Sequence, residues 1–324
     1  MANKINIVQA VQQALQNEMA LDPTVVVYGE DVGVEGGVFR ATVGLQQEFG
    51  EGRSFDTPLA ESAIVGTAIG MAINGFKPVV EMQFMGFIYP AVNQIVSHVA
   101  RYRNRTRGQR HLPMVIRAPY GGGIRALEHH SESTEAMFAH IPGLKVVIPS
   151  TPYDAKGLLI AAIRDPDPVL FLEPKRIYRA FRQEVPEEAY TLPIGKAKVI
   201  KEGDDITVVT WGAMVPDVQK AVAAIDDISV EVIDLRTISP MDRETIVTSV
   251  EKTGRILIVH EAAKSFGAGA EIMAVVNEKA FLSLEAPPTR LTGFDTIFPL
   301  PRGEEHYLPT PARIEAKIRE LAAY

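Results

Sequence analysis

Glu61 is the only charged residue between positions 60 and 75, in a stretch of apolar and small side chains. A carboxyl in such low-dielectric surroundings favours its protonated form, which would let it exchange a proton with a bound ligand. The alternative is an ordinary acidic residue in the first turn of a helix, where the helix dipole stabilises negative charge. The residues of this stretch alone leave both interpretations open.

The element that positions Glu61 is predicted to be a helix. Thr57 followed by Pro58 is typical of a helix start, with Thr as the N-cap and Pro in the first turn. Gly75 is typical of a helix end. Because the stretch between them is apolar in every direction, the helix is expected to be buried on all sides.

A second candidate for proton transfer is the pair His129 and His130, in the glycine-rich loop after the predicted strand 113–117. Crevices at the carboxyl ends of parallel strands commonly hold ligands, and histidine titrates near neutral pH. Nearby glutamates would also allow a metal site. Adjacent histidines on one loop rarely point the same way, so acid–base chemistry is the favoured interpretation.

Other motifs give weaker indications. The string HEAAK at 260–264 lacks the second histidine of a zinc protease helix. Five arginines between Arg101 and Arg110 could bind phosphate, but a solvated or subunit-contact helix end fits an acidic chain better. FGAGAE at 266–271 fits close helix packing better than dinucleotide binding. The sequence therefore contains a candidate acid but no cradle for phosphate.

Composition narrows the class of protein. The 324 residues are 46% hydrophobic and 23% charged, with a net charge of −7, which is ordinary for a globular protein and argues against a nucleic-acid partner. The absence of cysteine excludes disulfides, thiolate nucleophiles and Cys-ligated metals. No apolar run reaches membrane-spanning length and none resembles a signal peptide, so we expect no membrane partner and a cytoplasmic location.

Short β-branched runs alternate with helical patterns, which predicts an α/β protein with a parallel sheet covered on both faces. The predicted strands are 25–28, 78–82, 113–117, 145–148 and 169–172, then 206–210, 230–233, 256–259 and 289–292. The predicted helices include 84–103, 152–164, 214–225, 242–250, 269–280 and 311–322. A polar segment with Pro186 and Pro193 indicates a linker, 186–200, between domains 1–185 and 201–324.

Four segments, in order along the chain, resemble one family: DTPLAES, EMQFMGF, EHHSESTEAMFAHIPGLKVVIPSTPYDAKGLL and FLEPKRIYRAFRQEVP. They resemble the β subunit of the E1 component of thiamine-diphosphate-dependent 2-oxoacid dehydrogenase complexes, bacterial pyruvate dehydrogenase above all. The resemblance implies an N-terminal pyrimidine-binding domain and a smaller C-terminal transketolase-like domain. It also implies that a separate α subunit holds the diphosphate and Mg²⁺ through a GDG motif, which this chain lacks, in an α₂β₂ heterotetramer.

The resemblance also implies roles for particular residues. Glu61 matches the catalytic glutamate, which hydrogen-bonds N1′ of the aminopyrimidine and promotes its imino tautomer. Leu59 and Gln83 match positions that contact thiamine diphosphate. Phe87 matches an aromatic residue against the pyrimidine, while Met85 stands where some members carry another aromatic. His130 matches a histidine that orients substrate and assists proton transfer as the acyl group passes to lipoamide.

A structural potassium ion is the last site that the resemblance implies, held mostly through backbone carbonyls. An ordinary polar loop is the alternative for this part of the chain, although two of its aspartates are hard oxygen donors. The matching positions are Met114, Ala162, Ile163, Asp165 and Asp167.

The implied reaction is decarboxylation of pyruvate with reductive acetylation of a lipoyl group on the E2 component. The lipoyl domain and the peripheral subunit-binding domain of E2 are the implied partners, and the C-terminal domain is the implied docking surface for the second. Two alternatives stay open. EPKRIYRA and STEAMFAH favour a branched-chain 2-oxoacid (acetoin being a further substrate), whereas FRQEVPEEAYTLPIGKA favours pyruvate. A non-catalytic structural subunit is the other alternative, which the presence of Glu61 and His130 disfavours.

Overall fold

A computed structural model describes residues 2–324 and shows alternating strands and helices. The strands of the first half are β1 (Ala2–Ile5), β2 (Val25–Gly29), β3 (Ser54–Asp56), β4 (Lys77–Glu81), β5 (Val115–Tyr120), β6 (Lys145–Val147), β7 (Val169–Pro174) and β8 (Gln183–Pro186). Those of the second half are β9 (Lys198–Lys201), β10 (Ile206–Thr210), β11 (Val230–Asp234), β12 (Thr237–Ser239), β13 (Ile256–Val259) and β14 (Thr289–Leu291).

The α-helices connect these strands. Those of the first half are α1 (Ile7–Leu21), α2 (Leu45–Phe49), α3 (Glu61–Ile73), α4 (Val92–Gln94), α5 (Tyr102–Arg105), α6 (Glu135–Ala139) and α7 (Pro152–Arg164). Those of the second half are α8 (Met214–Ala223), α9 (Arg243–Thr253), α10 (Ala268–Lys279), α11 (Glu304–Tyr307) and α12 (Pro311–Ala322). Short 3₁₀ turns cover Met85–Ala91, Glu128–His130, Lys175–Ile177 and Phe281–Ser283.

Two main sheets organise the molecule. The first has seven strands in the order β12-β6-β7-β5-β4-β2-β3, and the second has five in the order β14-β13-β10-β11-β9. All neighbours are parallel except β12 on β6 and β9 on β11, and β1 pairs with β8 in a separate antiparallel ribbon. The predicted α/β class and the predicted parallel strands are confirmed.

The large sheet is buried on both faces because its strands place apolar side chains alternately up and down. Val25 and Val27 pack with α1 and α7 on one face, whereas Val26 and Tyr28 pack with α3 and the following helical segment on the other. The helix α1 begins with a capping box in which the Asn6 side chain accepts from the backbone N–H of Gln9.

The helix that carries Glu61 begins later than predicted. The backbone N–H of Thr57 donates to the carbonyl of Gly29 at 3.0 Å, which continues the pairing of β3 with β2. Thr57 therefore extends the sheet edge and cannot cap a helix. The helix begins at Glu61, after an Ala60 N-cap that makes no side-chain bond, and its end at Ile73 agrees with the predicted stop.

The prediction that this helix is buried on all sides is also wrong. Ile64, Val65 and Ala68 face the large sheet and are buried, whereas Ala63 and Thr67 are exposed along the opposite side. A helix lying on a sheet can bury only the face that it turns toward the strands. Its apolar outer face is thus open to solvent in the single chain.

The long helix predicted over 84–103 is broken into pieces. A 3₁₀ segment, Met85–Ala91, contains Pro90, and it is followed by α4, a π-helical segment at Ile95–Val99 and then α5. Proline lacks the N–H that a regular α-helix requires at an interior position, which explains why the apolar periodicity alone was misleading. The arginine-rich end of this region lies at the surface, where Arg103 pairs with Asp167 at 2.5 Å.

The two halves are joined by more than a connecting segment. The strand β12 belongs to the second half but pairs with β6 of the large sheet. Within the predicted linker, the N–H of Leu192 donates to the carbonyl of Gly157 at 3.1 Å, and that of Gly195 to Oγ1 of Thr237 at 3.1 Å. Across residues 2–324, none of the helices combines the length and the apolar character needed to cross a bilayer.

Candidate active site

Three neighbouring parallel strands, β2, β4 and β5, end at the same edge of the large sheet. The chain leaves these strands at Glu30, Met82 and Gly121, and the helix α3 begins beside them. Loops at the carboxyl edge of a parallel sheet form crevices suited to ligands. The candidate site is built from these loops and from the first turn of α3.

Glu61 is buried at the start of α3, close to a second acid. Burial, followed by the negative charges of Glu61 and Asp31, raises the pKa of Glu30 above its ordinary value. One carboxylate oxygen of Glu30, Oε1, is buried and has no hydrogen-bond partner within residues 2–324. The negative charge of Glu61 thus helps to favour the protonated form of Glu30 in this partly desolvated space.

The predicted cofactor contacts lie in different surroundings. Gln83 follows β4, and its Nε2 donates to Oδ2 of Asp31 at 2.8 Å. Leu59 precedes α3 and is 81% exposed, so its side chain is free to meet a group from outside this chain. Met85 is fully buried in the core and does not offer its thioether to the site.

Aromatic side chains surround the predicted histidine. The ring of His130 lies 4.4 Å from that of Phe84 and 5.1 Å from that of Phe87, each in an edge-to-face arrangement. Its Nδ1 is buried without a hydrogen-bond partner among the described residues. His129 is exposed, with its ring 6.3 Å from that of Tyr89. The structure therefore separates the two adjacent histidines and places His130 against the aromatic pair.

Packing links these pieces into one site. The helix α3 packs on the 3₁₀ segment Met85–Ala91, which in turn packs on the 3₁₀ turn that carries His130. A Cβ atom on Gly86 would lie 2.2 Å from the carbonyl oxygen of His129, so only glycine permits this close approach. The elements that carry Glu61, Phe87 and His130 therefore lie in contact, in sequence α3, the 3₁₀ segment and the His130 turn.

Sequence reasoning missed Glu30, Asp31 and Phe84 as members of the site. Glu30 and Asp31 come directly after the buried strand β2, and an acidic pair at that position was the available signal. The apolar spacing that follows Phe84 predicts instead that this residue begins a helix. Phe84 contacts His130 only because a loop more than 40 residues downstream folds back against it. The pattern of residues around Phe84 carries no information about that contact.

A buried ionic group supports the floor of the site. The Arg117 guanidinium donates to both oxygens of Glu173, at 2.6 and 3.1 Å, and to Oε2 of Glu81 at 2.9 Å. The Tyr178 hydroxyl donates to the same Glu173 at 2.6 Å. Burial, with the charge of Glu173, raises the pKa of Glu81 against the opposing effect of Arg117. These residues fix the ends of β4, β5 and β7.

A second buried ionisable group lies where the two halves meet, and no sequence motif indicated it. Burial, with help from the charge of Glu261, raises the pKa of Glu135 to about 7. Burial likewise lowers the pKa of Lys175 to about 7, despite the nearby Glu261. His260 stacks on Trp211 with ring centroids 5.2 Å apart, and burial lowers its pKa to about 4.

The two aspartates at the predicted potassium positions differ in whether their carboxylate oxygens already have partners. Both carboxylate oxygens of Asp165 accept from Nζ of Lys145, at 2.7 and 2.6 Å, so that side chain already has a cation. Oδ1 of Asp167 is buried and has no partner among residues 2–324. Within the same residues, no cluster of three or more His, Asp or Glu side chains is arranged to hold a metal ion.

Two family models match the chain. "Transketolase, pyrimidine binding domain" covers residues 3–180, and "Transketolase, C-terminal domain" covers residues 195–314. A solved structure described as "Split gene transketolase, inactive beta4 tetramer" superposes with a TM-score of 0.81 over 98% of this chain and 99% of that one, at 22% identity. That likeness shows the fold. Fold and site thus define a two-domain protein of the transketolase type.

Full-length relatives narrow the class further. Proteins named "Pyruvate dehydrogenase E1 component subunit beta" are 62% identical in Acholeplasma laidlawii, over 98% of both chains, and 54% identical in Bacillus subtilis (strain 168), over 99% of both. The protein of that name from Staphylococcus aureus (strain Mu50 / ATCC 700699) is 53% identical over 99% of both chains. The chain belongs to the family of pyruvate dehydrogenase E1 component β subunits, which confirms the predicted resemblance.

Proposed function

We propose that this chain provides the pyrimidine-binding half of a thiamine diphosphate site in an E1 enzyme that decarboxylates pyruvate and acetylates the lipoyl group of E2. The observation that carries the proposal is the buried carboxyl of Glu61 beside Glu30, at the carboxyl edge of a transketolase-type pyrimidine-binding domain. The relatives named as pyruvate dehydrogenase subunits support pyruvate over a branched-chain 2-oxoacid or acetoin.

The residues present fit the aminopyrimidine end of the cofactor. Glu61 would hold or release a proton at N1′, in a space where Glu30 already has an unpartnered oxygen. Phe87 would lie against the ring, with Gln83 and Leu59 at its margin. When bound, the cofactor would supply a nucleophilic carbon for the 2-oxoacid carbonyl and an electron-poor ring to hold the electron pair left by CO₂. The chain's own part is to place one carboxyl in a dry site.

His130 is the second proposed catalytic residue. Its ring is packed between Phe84 and Phe87, which leaves it few orientations. A histidine side chain can donate and accept protons, so His130 could orient the substrate carboxylate and deliver a proton to the sulfur that is released when the lipoyl disulfide opens to accept the acyl group. His129, exposed and turned toward Tyr89, is the less suitable member of the pair.

The proposed partner subunit follows from a diphosphate-binding motif that the chain lacks. The full sequence contains no GDG motif, and the nearest string is EGDD at 202–205. We propose that an α subunit holds the diphosphate and Mg²⁺ and completes an α₂β₂ heterotetramer. The open apolar face of α3 and the exposed Leu59 support a contact with another chain on this side. The C-terminal domain would dock the peripheral subunit-binding domain of E2, while the lipoyl domain visits the active site.

Two structural proposals accompany the function. The first is a division into domains 1–185 and 201–324, joined by a linker, 186–200. The match of residues 3–180 and 195–314 to two different domain families supports a division in this part of the chain. A potassium ion would be held by backbone carbonyls of Met114, Ala162, Ile163, Asp165 and Asp167. Both aspartate side chains already pair with a cation, Asp165 with Lys145 and Asp167 through Oδ2 with Arg103, so the buried Oδ1 of Asp167 is the one unpartnered side-chain oxygen that these two residues offer among residues 2–324.

Replacement of Glu61 tests the proposed function. Glu61→Gln, co-expressed with the α subunit, is expected to assemble normally and to lose roughly a hundredfold or more in pyruvate decarboxylation, measured with an artificial electron acceptor. Glu244→Gln is the matched control, because Glu244 also lies in a first helical turn and is exposed. Wild-type turnover by Glu61→Gln would show that Glu61 only stabilises the helix.

A further inference from the structure

Side chains from the second half of the chain pack against and hydrogen-bond to the loop that carries His130. It leaves β5 through three consecutive glycines, where no side chain would fit. A Cβ atom on Gly121 would lie 1.9 Å from Oε1 of Glu261, and one on Gly122 would lie 2.2 Å from Cζ of Phe298. Glycine therefore lets side chains of the second half press directly on the backbone of the loop.

Glu304 binds the beginning of this loop. It lies on α11 of the second half and is only 5% exposed. Its Oε1 accepts the N–H of Gly123 at 2.8 Å, and its Oε2 accepts the N–H of Arg125 at 3.1 Å. Arg125 has a left-handed backbone with φ +57°, which non-glycine residues seldom adopt. A buried carboxylate that accepts two N–H groups is suited to hold such a conformation in place.

Glu261 binds the far end of the same loop. Its Oε1 accepts from the Ser133 hydroxyl at 3.1 Å. The N–H of Gly121 donates to the carbonyl of Glu132 at 2.9 Å, so the two ends of the loop are joined to each other. Nζ of Lys175 also donates to the carbonyl of Gly121 at 2.5 Å. The loop is thus closed on itself and tied to the second half at both ends.

In the chain, His130 lies between the residues that Glu304 binds and the residue that Glu261 binds. We propose that the carboxylates of Glu304 and Glu261 act as positioning groups for His130, holding its loop so that the ring stays between Phe84 and Phe87. The C-terminal half then contributes to the active site through backbone contacts, without touching substrate. This inference rests on the proposed role of His130 in acyl transfer to the lipoyl group.

The test compares two adjacent glutamates in the assembled α/β enzyme. Glu304→Gln removes the negative charge and replaces one accepting oxygen with an NH₂ group that cannot accept. With the remaining oxygen at the Oε1 position, the 3.1 Å bond from the Arg125 N–H to Oε2 is lost and only its longer bond to Oε1, at 3.3 Å, remains. Glu305→Gln is the matched control, because Glu305 is 83% exposed and forms a surface ion pair with the guanidinium of Arg125, at 3.5 Å, without binding the backbone of the loop. Ser133→Ala is a second variant, which removes the tie to Glu261 from the loop side.

Hydrogen exchange over residues 121–134 is the primary readout, and it does not depend on activity. Glu304→Gln and Ser133→Ala should each accelerate exchange there, while Glu305→Gln should not. Lipoyl acetylation should fall by roughly tenfold in both variants, since misplacing a catalytic group by about 1 Å costs up to about a hundredfold. Decarboxylation with an artificial acceptor should fall less.

The outcomes separate this inference from the function on which it rests. Unchanged exchange in Glu304→Gln and Ser133→Ala would overturn the positioning role. Faster exchange combined with a wild-type rate of acetylation would overturn it as well, because greater mobility of the loop would then have no effect on the reaction. His130→Ala is measured alongside: if it leaves acetylation unaffected, the proposed role of His130 fails, while the exchange data still report whether the carboxylates hold the loop.

Discussion

Replacing Arg117 with Met is expected to destabilise the protein strongly. Among the residues that the structure describes, Arg117 is the only cation within hydrogen-bonding distance of the buried carboxylates of Glu81 and Glu173. The side chain is 1% exposed and donates three hydrogen bonds, two to Glu173 and one to Glu81. Met is similar in length and apolar, so the packing volume is largely kept. What Arg117→Met removes is the charge that compensates Glu81 and Glu173.

The magnitude follows from the burial of this ionic group. Removing one partner of a buried ion pair leaves an uncompensated charge and costs about 3–5 kcal/mol. At about 2 °C per kcal/mol for a domain of this size, the thermal midpoint should fall by at least about 6 °C. Arg319→Met provides the control, since Arg319 and its partner Asp227 lie at the surface and such pairs contribute at most about 1 kcal/mol.

The assay is thermal unfolding of the co-expressed α/β enzyme at equal protein concentrations and several pH values. The folded-state pKa of Glu81 is already raised, and Arg117→Met should raise it further. A carboxyl with a raised folded-state pKa loses its contribution to stability as the pH rises through that pKa. The loss of stability in the variant should therefore be larger near pH 8 than near pH 5.5. The lower pH lies about one unit above the pKa of a glutamate in the unfolded chain.

A further variant distinguishes charge from packing. Adding Glu81→Gln and Glu173→Gln to Arg117→Met removes all three charges, and a buried amide without a partner costs far less than a buried unpaired charge. The thermal midpoint of the triple variant should lie well above that of Arg117→Met. A deficit below about 1 kcal/mol in Arg117→Met, or one independent of pH, would refute the view that the cation compensates two buried charges.

Three other predictions concern the site and its surroundings. Gly86→Ala places a Cβ 2.2 Å from the His129 carbonyl oxygen and should lower activity by roughly tenfold or more, whereas Gly52→Ala, with no atom within 4 Å, should not. The stability that protonated Glu135 contributes is lost as the pH rises through about 7, so Glu135→Gln should flatten the pH dependence of the thermal midpoint between pH 5 and 8; an unchanged slope would contradict this. The isolated chain should show no tight binding of Mg²⁺–thiamine diphosphate by calorimetry, and tight binding would refute the half-site proposal.

Local sequence predicted much of the framework. The runs VVVY, ITVVT and ILIV form strands β2, β10 and β13, because β-branched residues favour extended backbone and the sheets bury both their faces. Helices with clear caps, such as α7 after Thr151 and α12 after Thr310, begin where the cap residue indicates. The family resemblance then assigned Glu61 and His130, which the residues alone left undecided.

The predictions failed where a distant residue competed with a local signal. Thr57 and Pro58 have the chemistry of a helix start, but the N–H of Thr57 bonds to Gly29 of a neighbouring strand. The apolar spacing after Phe84 is helical, but Pro90 and the packing of the His130 loop divide that region into shorter segments. A hydrogen bond to a distant strand outweighs a local propensity of a fraction of a kcal/mol.

The sequence by itself determined the class of protein, the strands, and the isolation of one carboxyl in an apolar stretch. Only the tertiary structure decided which groups surround that carboxyl, and that His130 meets Phe84 and Phe87. It alone showed that Glu304 holds the backbone at Gly123, 181 positions earlier in the chain. The physical reason is that apolar periodicity reports which face of an element is buried, whereas a site depends on pairwise contacts between elements that are remote in sequence.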